Sequence, residues 1–311
     1  MRLPILISAL LTLASFTQAQ VEVESAPMGG VNVLLKAGNN LIGPTFVHPS
    51  SFSGEIATFV QNQAEWSLTF SGTPFTANAF DGTVDYAKYY IEITEAGPLE
   101  GAVFDIISNT TDTLVIDGYD GPPLPAVGNS VIIRKHVTVE DFILSNASGL
   151  SGFQDSLKIF YGNQSETLLW TGTDWLGGDF SSKKELPIYP GQGVFLSNAS
   201  DVTLLLSGNV KNTPTQIPVY DVGVNWIVSL APVDKTLGDL SLAGILAPFQ
   251  DSIKTYQKDG SLSQLDVYIS NGSNLLSSSF SNGDTDLVPT VYAFFVDSST
   301  DTNFTFPSAT E

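Results

Sequence analysis

The chain of 311 residues contains no cysteine and few cationic side chains. Without cysteine there can be no disulfide, no thiolate nucleophile and no lipidated N-terminal cysteine. Lysine and arginine together number 12 against 32 aspartates and glutamates, which gives a formal net charge of −20 at pH 7. Because nucleic acids and anionic lipid surfaces are themselves negative, this balance argues against both as partners.

Groups for acid–base or nucleophilic catalysis are also scarce. The two histidines are His48, which precedes Pro49, and His136, which follows Arg134 and Lys135. The first is interpreted as a loop residue and the second as part of a salt-bridging cluster. No Gly-x-Ser-x-Gly, P-loop or His-Glu-x-x-His motif is present. We therefore expect a protein that is not an enzyme, although a glycosidase pair of carboxylates, which is defined by separation in space, stays open.

A single long apolar run lies at the start of the chain. Leu3 to Phe16 is apolar, Arg2 precedes it, and Thr17-Gln18-Ala19 places small residues where a signal peptidase cuts. The run is shorter than the ~20 residues of a membrane-spanning helix. Residues 1–19 are therefore predicted to be a signal peptide. We expect an exported bacterial protein, in the periplasm, at the outer surface or outside the cell, with no membrane insertion after cleavage.

The sequence contains an internal repeat. Phe153-Gln-Asp-Ser-Leu-Lys-Ile-Phe160 matches Phe249-Gln-Asp-Ser-Ile-Lys-Thr-Tyr256 at five of eight positions. Weaker matches at nearly the same spacing start at Thr138 and Thr236 and at Pro190 and Pro289. Collinear matches of this kind predict a duplicated module.

One further match breaks the spacing and predicts an insertion. Asn40 and its neighbours resemble Asn225 and its neighbours, but the first copy has many more residues before the next shared landmark. Loop tips tolerate inserted domains because little buried backbone is disturbed there. The predicted organisation is a first β module of residues 20–53 plus 138–213, an inserted β domain of residues 54–137, and a second β module of residues 214–311.

An all-β fold is expected throughout. Segments rich in Ile, Val, Tyr, Phe and Thr alternate with clusters of Gly, Asn, Asp and Pro, which is typical of short strands and turns. Each module also has a short helical turn, opening at the capping residues Thr138 and Thr236. The inserted domain is predicted to be a small β-barrel or sandwich. Its predicted strands are Glu55–Gln61, Trp66–Ser71, Asp85–Thr94, Ala102–Ser108, Thr113–Asp117 and Ser130–Val137.

Several motifs resemble those of a family of exported β-rich proteins of Gram-negative bacteria. They include Tyr89-Tyr-Ile-Glu-Ile-Thr94, Ile133-Arg-Lys-His136 and Pro190-Gly-Gln-Gly-Val-Phe. The family has no assigned activity, so the resemblance implies no catalytic residue. In the second module Thr290-Val-Tyr stands in place of Gly-Gln-Gly. The close backbone approach that those glycines allow is therefore not expected to be needed in both copies.

Two tryptophans are the first candidate for a binding site. Trp170 and Trp175 flank Thr171-Gly-Thr-Asp174, which reads as a four-residue hairpin loop. The indoles should then face each other across two strands, either as a packed pair that stabilises the hairpin or as an exposed platform for sugar rings. Their exposure decides between these alternatives.

Two acidic stretches are candidates for Ca²⁺ binding. The first contains Asp284 and Asp286 within Asn282–Asp286, and the second runs from Asp297 to Asn303. Alternating oxygen ligands suit Ca²⁺, but the same residues are ordinary in solvated turns. No other cofactor is expected.

Taken together, these features predict a non-catalytic exported protein of the surface or envelope, with a structural or binding role. A carbohydrate-binding accessory protein is one alternative. The other is a polysaccharide-active enzyme with an unrecognised pair of carboxylates, for which a cleft holding two carboxylates, one of raised pKa, would be the structural sign.

Overall fold

The computed structural model describes residues 27–308, except residues 64, 84, 119–122, 162–163, 223–224 and 256–265. About 47% of the chain is strand and 2% is helix, which confirms the expected all-β class. The predicted signal peptide lies outside the described residues. Within the part of the chain described, no helix is long and apolar enough to cross a membrane.

The first module contains ten strands and one π-helical turn, Glu140–Leu144. Its main sheet has the order β14-β13-β12-β16-β2, and smaller sheets are formed by β1-β17-β11 and by β10-β15. The strands are β1 Met28–Leu35, β2 Gly38–Ile42, β10 Val137–Thr138, β11 Ala147–Ser148, β12 Ser156–Tyr161, β13 Gln164–Trp170, β14 Trp175–Leu176, β15 Pro187–Ile188, β16 Val194–Asn198 and β17 Val202–Asn209.

The second module contains nine strands in the same arrangement. Its main sheet has the order β23-β22-β21-β25-β19, and β18-β26 and β20-β24 form the two small sheets. When the strands of each module are numbered from its own start and the additional β11 is left out, the sheets of the two modules have the same strand order. Common origin by duplication stays a prediction. The strands are β18 Thr215–Val219, β19 Asn225–Val228, β20 Lys235–Thr236, β21 Ser252–Thr255, β22 Asp266–Ser270, β23 Leu275–Leu276, β24 Leu287–Val288, β25 Ala293–Asp297 and β26 Thr302–Phe306.

Between β2 and β10 the chain forms a separate seven-stranded sheet, here called the interposed sheet, with the order β3-β9-β6-β7-β8-β5-β4. The interposed sheet begins at Ser50 and ends at Lys135, whereas the inserted domain was expected over residues 54–137. The strands are β3 Ser50–Glu55, β4 Thr58–Asn62, β5 Glu65–Thr69, β6 Tyr89–Ile93, β7 Val103–Asn109, β8 Thr113–Asp117 and β9 Ser130–Lys135.

The interposed sheet is curled, because its two edge strands follow each other in the chain. The continuous strand expected over Glu55–Gln61 is broken between β3 and β4. Ile56 accepts and donates hydrogen bonds on the β9 side, with Gly128 and Asn129, whereas the Ala57 amide donates to Thr69 at the end of β5. The chain thus steps from one edge of the sheet to the other around an apolar core that contains Trp66 and is otherwise mostly aliphatic and phenylalanine side chains.

The two modules contact each other through reciprocal backbone pairs. Gln192 of the first module bridges to Ile227 in β19, and Ile42 in β2 bridges to Tyr292 of the second module. The Gly193 amide donates to Trp226 at 2.8 Å, and the Gly43 amide, next to Ile42, donates to the second module at 2.8 Å. A small apolar cluster of Leu41, Val228 and Ala293 is buried at this contact.

The turns that make this contact have the same left-handed backbone in both modules, although the second has no glycine there. Gly191 has φ +80°, and Val291, at the matching position, has φ +75°. A β-branched residue is a rare occupant of this region. The Gly43 amide donates to the Val291 carbonyl at 2.8 Å, and the Gly191 carbonyl accepts from the Val228 amide at 2.9 Å. Both modules therefore use the same turn to present a carbonyl to the other.

The repeated aspartates Asp155 and Asp251 perform the same structural role in each module. Both side chains are buried. Asp155 accepts hydrogen bonds from the amides of Ser151 and Ala199, at 2.7 and 2.8 Å. Asp251 accepts equivalent bonds from the loop before β21 and from the end of β25, both at 2.8 Å. Each carboxylate thus ties together two loops at the entrance of a central strand.

The helical turn of the first module begins with a capping box. The Thr138 amide donates to the carboxylate of Asp141, and the Asp141 amide donates to the Thr138 hydroxyl. His48 Nε2 lies 3.0 Å and Lys135 Nζ 3.5 Å from the same carboxylate oxygen. Partial burial acts to raise the pKa of Asp141, but the hydrogen bonds from His48 and Thr138 and the neighbouring positive charges outweigh it and hold the pKa well below its usual range.

A buried ionic cluster joins the interposed sheet to the linker between the modules. Glu92 in β6, Arg134 in β9 and Lys211 in the linker are all at most 4% exposed. Lys211 Nζ lies 2.6 Å from Glu92 Oε1, and Arg134 Nε lies 3.7 Å from Glu92 Oε2. Lys211 also donates to the carbonyls of Thr213 and Pro214. One anion therefore serves two cations in the interior, where unpaired charge is costly.

Candidate functional site

A cleft of about 1160 Å³ lies where the interposed sheet and both modules meet. It is called the junction cleft here. The interposed sheet contributes residues of β7 and β8, the first module contributes Phe160 and the turn after β15, and the second module contributes residues of β18, β19 and β26. No single sheet forms it, so it exists only when the three parts are assembled.

Aromatic rings form one part of the cleft wall. Phe160 packs edge to face on Trp226, with ring centroids 4.4 Å apart. Trp226 in turn stacks on Phe195, which lies behind it, at 5.5 Å and an interplanar angle of 23°. Phe160 and Trp226 are both half-buried, so each keeps part of its ring in the cleft. Rings fixed in this way offer a preformed apolar surface to a ligand.

A hydrogen-bonded group of three side chains forms the opposite part. Asp105 in β7 accepts a hydrogen bond from Tyr189 Oη at 2.6 Å and lies 2.8 Å from His136 Nε2. His136 is fully buried, and its Nδ1 has no hydrogen-bond partner among the described residues. The tautomer that carries its proton on Nε2 satisfies Asp105. The carboxylate is thereby held in one orientation at the cleft.

A second carboxylate, Asp117, lies beside Asp105. The register Ile106↔Ile116 sets Asp105 in β7 opposite Asp117 in β8. Residues opposite each other in an antiparallel pair share a face, with Cβ atoms about 5 Å apart. Partial burial, followed by the charges of Asp105 and Glu65, raises the pKa of Asp117. The cleft therefore holds two neighbouring carboxylates, one of which resists ionisation.

Trp170 and Trp175, for which the sequence left a packed pair and a sugar platform open, lie outside the junction cleft and are buried. Trp170 and Trp175 do pair across β13 and β14, with ring centroids 5.4 Å apart. However, Trp175 is 0% and Trp170 is 7% exposed, and both belong to the apolar core of the first module. Of the two alternatives, the structure contains the packed pair and not the sugar platform, because the hairpin folds onto the core and covers both rings.

The predicted calcium residues are engaged in hydrogen bonds. Asp284 accepts from the Asn274 side chain and from the Leu275 amide, at 2.6 and 2.9 Å. Asp286 accepts from Tyr268 Oη at 2.8 Å. Among the residues that the structure describes, no group of three or more acidic, histidine or cysteine side chains is placed to hold a metal ion. These contacts are those of turns that brace β22 and β23.

The two histidines agree with the sequence interpretation to different degrees. His48 lies in a loop against Asp141, as expected. His136 contacts the carboxylate of Asp105, whereas its neighbours Arg134 and Lys135 lie beside other carboxylates. What the sequence does not reveal is that His136 reaches Asp105, which lies 31 residues earlier, and shares it with Tyr189. The partners come from β7 and two later segments, and no local pattern links them.

No family model, no curated protein sequence and no solved structure is significantly similar to this chain. The resemblance to an exported β-rich family therefore stays a prediction.

Proposed function

We propose that the protein is an exported, non-catalytic binding protein of the cell surface or envelope, and that the junction cleft binds a carbohydrate. The observation that carries this proposal is the pairing of fixed aromatic rings with hydrogen-bonding side chains in one open cleft of about 1160 Å³. A sugar ring has apolar C–H faces, which pack on aromatic rings, and hydroxyls at its edge, which need donors and acceptors. Phe160 and Trp226 supply the aromatic rings. The hydrogen-bonding groups are those of Asp105, Asp117 and Asn303.

The charge of the protein supports an uncharged ligand. A chain with a net charge of −20 repels polyanions at long range, whereas a neutral glycan experiences no such repulsion. Export is supported by the predicted signal peptide, since extracellular or periplasmic proteins encounter polysaccharides outside the cytoplasm.

The test is a glycan array followed by calorimetry with any neutral oligosaccharide that binds. We expect Asn303→Ala to weaken binding about tenfold, because one hydrogen bond to the ligand is lost. Phe160→Leu, which keeps apolar volume but removes the ring, should act in the same direction. Asn32→Ala is the matched control, because Asn32 is an exposed asparagine of β1 outside the cleft. No binding by the parent, or equal binding by all variants, would exclude the cleft as a carbohydrate site.

A second candidate function is hydrolysis of a glycosidic bond in the same cleft. The specific observation that favours it is the pair Asp105 and Asp117, in which partial burial and neighbouring carboxylates raise the pKa of Asp117. In a glycosidase one carboxylic acid protonates the leaving oxygen while a carboxylate assists on the other side of the sugar. Asp117 would be the acid, and Asp105, oriented by His136 and Tyr189, would be the carboxylate.

A turnover measurement distinguishes carbohydrate binding from hydrolysis. Release of reducing ends from a bound oligosaccharide, lost in Asp117→Asn while calorimetric binding persists, would support hydrolysis. Binding without any release of reducing ends by the parent would leave the non-catalytic role and remove the second candidate.

A further inference from the structure

Four exposed phenylalanines have a left-handed backbone. Phe153, Phe180, Phe249 and Phe280 have φ between +59° and +60°. Their exposed fractions are 71%, 82%, 67% and 71% respectively. The left-handed region is disfavoured for residues with a Cβ and is normally occupied by glycine or asparagine. A large apolar residue at such a position is therefore unusual twice over, in conformation and in exposure.

The four residues occupy two equivalent places in each module. Phe153 and Phe249 precede β12 and β21 by three residues, and their amides donate to carbonyls of β13 and β22 at 2.6 and 2.8 Å. Phe180 and Phe280 follow β14 and β23 by four residues, and their amides close the same tight turn at 3.0 and 2.8 Å. The same unusual conformation thus occurs at matching positions in both modules.

These positions lie toward one edge of each main sheet. Strands β14 and β23 are the edge strands opposite to β2 and β19, through which the modules contact each other. The two pairs of rings are therefore carried at the sheet edges farthest from the contact between modules. None of the four residues lines the junction cleft.

Packing does not account for these side chains. Rings that are at least two-thirds exposed contribute little burial, and the turns would form with less strain if glycine occupied the position. Backbone strain that brings no packing in return points to a contact outside the chain. Since the strain recurs in both modules, the contact is expected to be made twice.

We propose that these two outer edges, each defined by one pair of exposed phenylalanines, bind an uncharged polysaccharide bivalently. Polar groups surround the rings. Hydroxyls of Ser277, Ser279 and Ser281 lie within 3.0 Å of one another beside Phe280. Exposed glutamines directly follow the other ring of each module, at Gln154 and Gln250. An aromatic ring with hydroxyl or amide neighbours fits a sugar ring, and the net charge of −20 disfavours polyanionic polymers.

The test uses adsorption to insoluble cellulose and chitin together with thermal unfolding. Replacing one pair by glycine, Phe153→Gly with Phe180→Gly, should reduce the apparent affinity at least about tenfold, because bivalent attachment is lost. Replacing all four by glycine should abolish adsorption. The matched control replaces all four by tyrosine, which keeps the rings and should keep adsorption.

Thermal unfolding tests for backbone strain at the four phenylalanines without any ligand. Each exchange to glycine should leave Tm unchanged or raise it by about 1–3 °C, because left-handed strain is relieved and little buried surface is lost. A fall in Tm for every exchange would show that the rings stabilise their turns, and would overturn the proposal.

Three other outcomes would also overturn it. These are no adsorption of the parent to either polymer, a change in oligomeric state on light scattering when the rings are removed, and ring-dependent binding to phosphatidylcholine vesicles. The last two would identify a second copy of the chain or a lipid surface as the partner. Failure of the cleft variants to affect soluble oligosaccharide binding would refute the proposed function and leave this result untouched.

Discussion

The charge balance of the buried ionic cluster predicts which of two substitutions, Glu92→Gln or Lys211→Met, lowers the free energy of unfolding more. Glu92 is the single anion beside the cations Lys211 and Arg134. Glu92→Gln would leave both cations buried without a counter-charge. Lys211→Met would leave one anion and one cation. We therefore expect Glu92→Gln to be the more destabilising substitution, although it changes the side-chain volume less.

The magnitudes follow from the contacts. Removing the anion from a buried pair costs about 3–5 kcal/mol, and Glu92→Gln should lie in this range. Lys211→Met loses the hydrogen bonds to Glu92, Thr213 and Pro214 and leaves two carbonyls without this donor, which costs about 1–3 kcal/mol. Combining the two substitutions should cost less than their sum, because the second removes a cation that the first left uncompensated.

Stability at alkaline pH tests the same reasoning. Burial lowers the pKa of Lys211, and the Glu92 charge opposes that shift, so Glu92→Gln should lower the pKa further. A lysine whose pKa in the folded protein is below the unfolded value destabilises the fold when protonated and ceases to do so as pH rises. The difference in stability between parent and Glu92→Gln should therefore shrink from pH 7 toward pH 10.

Urea unfolding monitored by tryptophan fluorescence measures both quantities, with circular dichroism checking that the variants keep the native fold. A larger loss in Lys211→Met than in Glu92→Gln, or a pH-independent difference, would refute the argument from charge balance.

Three further predictions concern the loops. Asp141→Asn should lower the free energy of unfolding by about 1 kcal/mol near neutral pH. Because the pKa of Asp141 is lowered in the folded protein, the ionised carboxylate stabilises the fold above about pH 4. The difference in urea midpoint between parent and variant should therefore disappear as the pH falls through the lowered pKa of Asp141. Asp155→Ala and Asp251→Ala should each cost about 2–4 kcal/mol, since either removes a buried carboxylate that accepts hydrogen bonds from two partly buried amides; unequal Tm losses would show that the two loops are braced differently. Millimolar Ca²⁺ should raise Tm no more than Na⁺ of equal ionic strength, because the side chains of Asp284 and Asp286 already accept hydrogen bonds; a selective rise would restore the calcium hypothesis.

Features set by short stretches of sequence were predictable. The four residues between Trp170 and Trp175 indicated a hairpin that pairs the indoles, and the structure contains it. The Phe-Gln-Asp-Ser motif recurs in the sequence, and in the structure its aspartates, Asp155 and Asp251, each tie two loops together. In both cases the determining contacts lie within one hairpin or one repeated motif.

Features set by distant segments were not predictable. The junction cleft joins Asp105 to Tyr189, which lies 84 residues later, and adds Trp226 from the other module. The break between β3 and β4 was not predicted, because Ile56, Phe59 and Val60 make this segment as rich in strand-forming residues as a continuous strand. The left-handed conformation of the phenylalanines could not be predicted from neighbouring residues. A left-handed turn position is predicted from glycine or asparagine, and here phenylalanine occupies it, as at Phe180.

The reciprocal contact between the modules has a consequence for how the chain avoids self-association. Strands β2 and β19 end their sheets, and an uncovered sheet edge can template pairing with another chain. Here the edge of each module is partly covered by the turn of the other, through the bridges Gln192↔Ile227 and Ile42↔Tyr292. A module produced alone would present this edge and the apolar side chains of Leu41 or Val228 to solvent. The two halves, expressed as separate chains, should therefore aggregate singly and stay soluble when they are produced together.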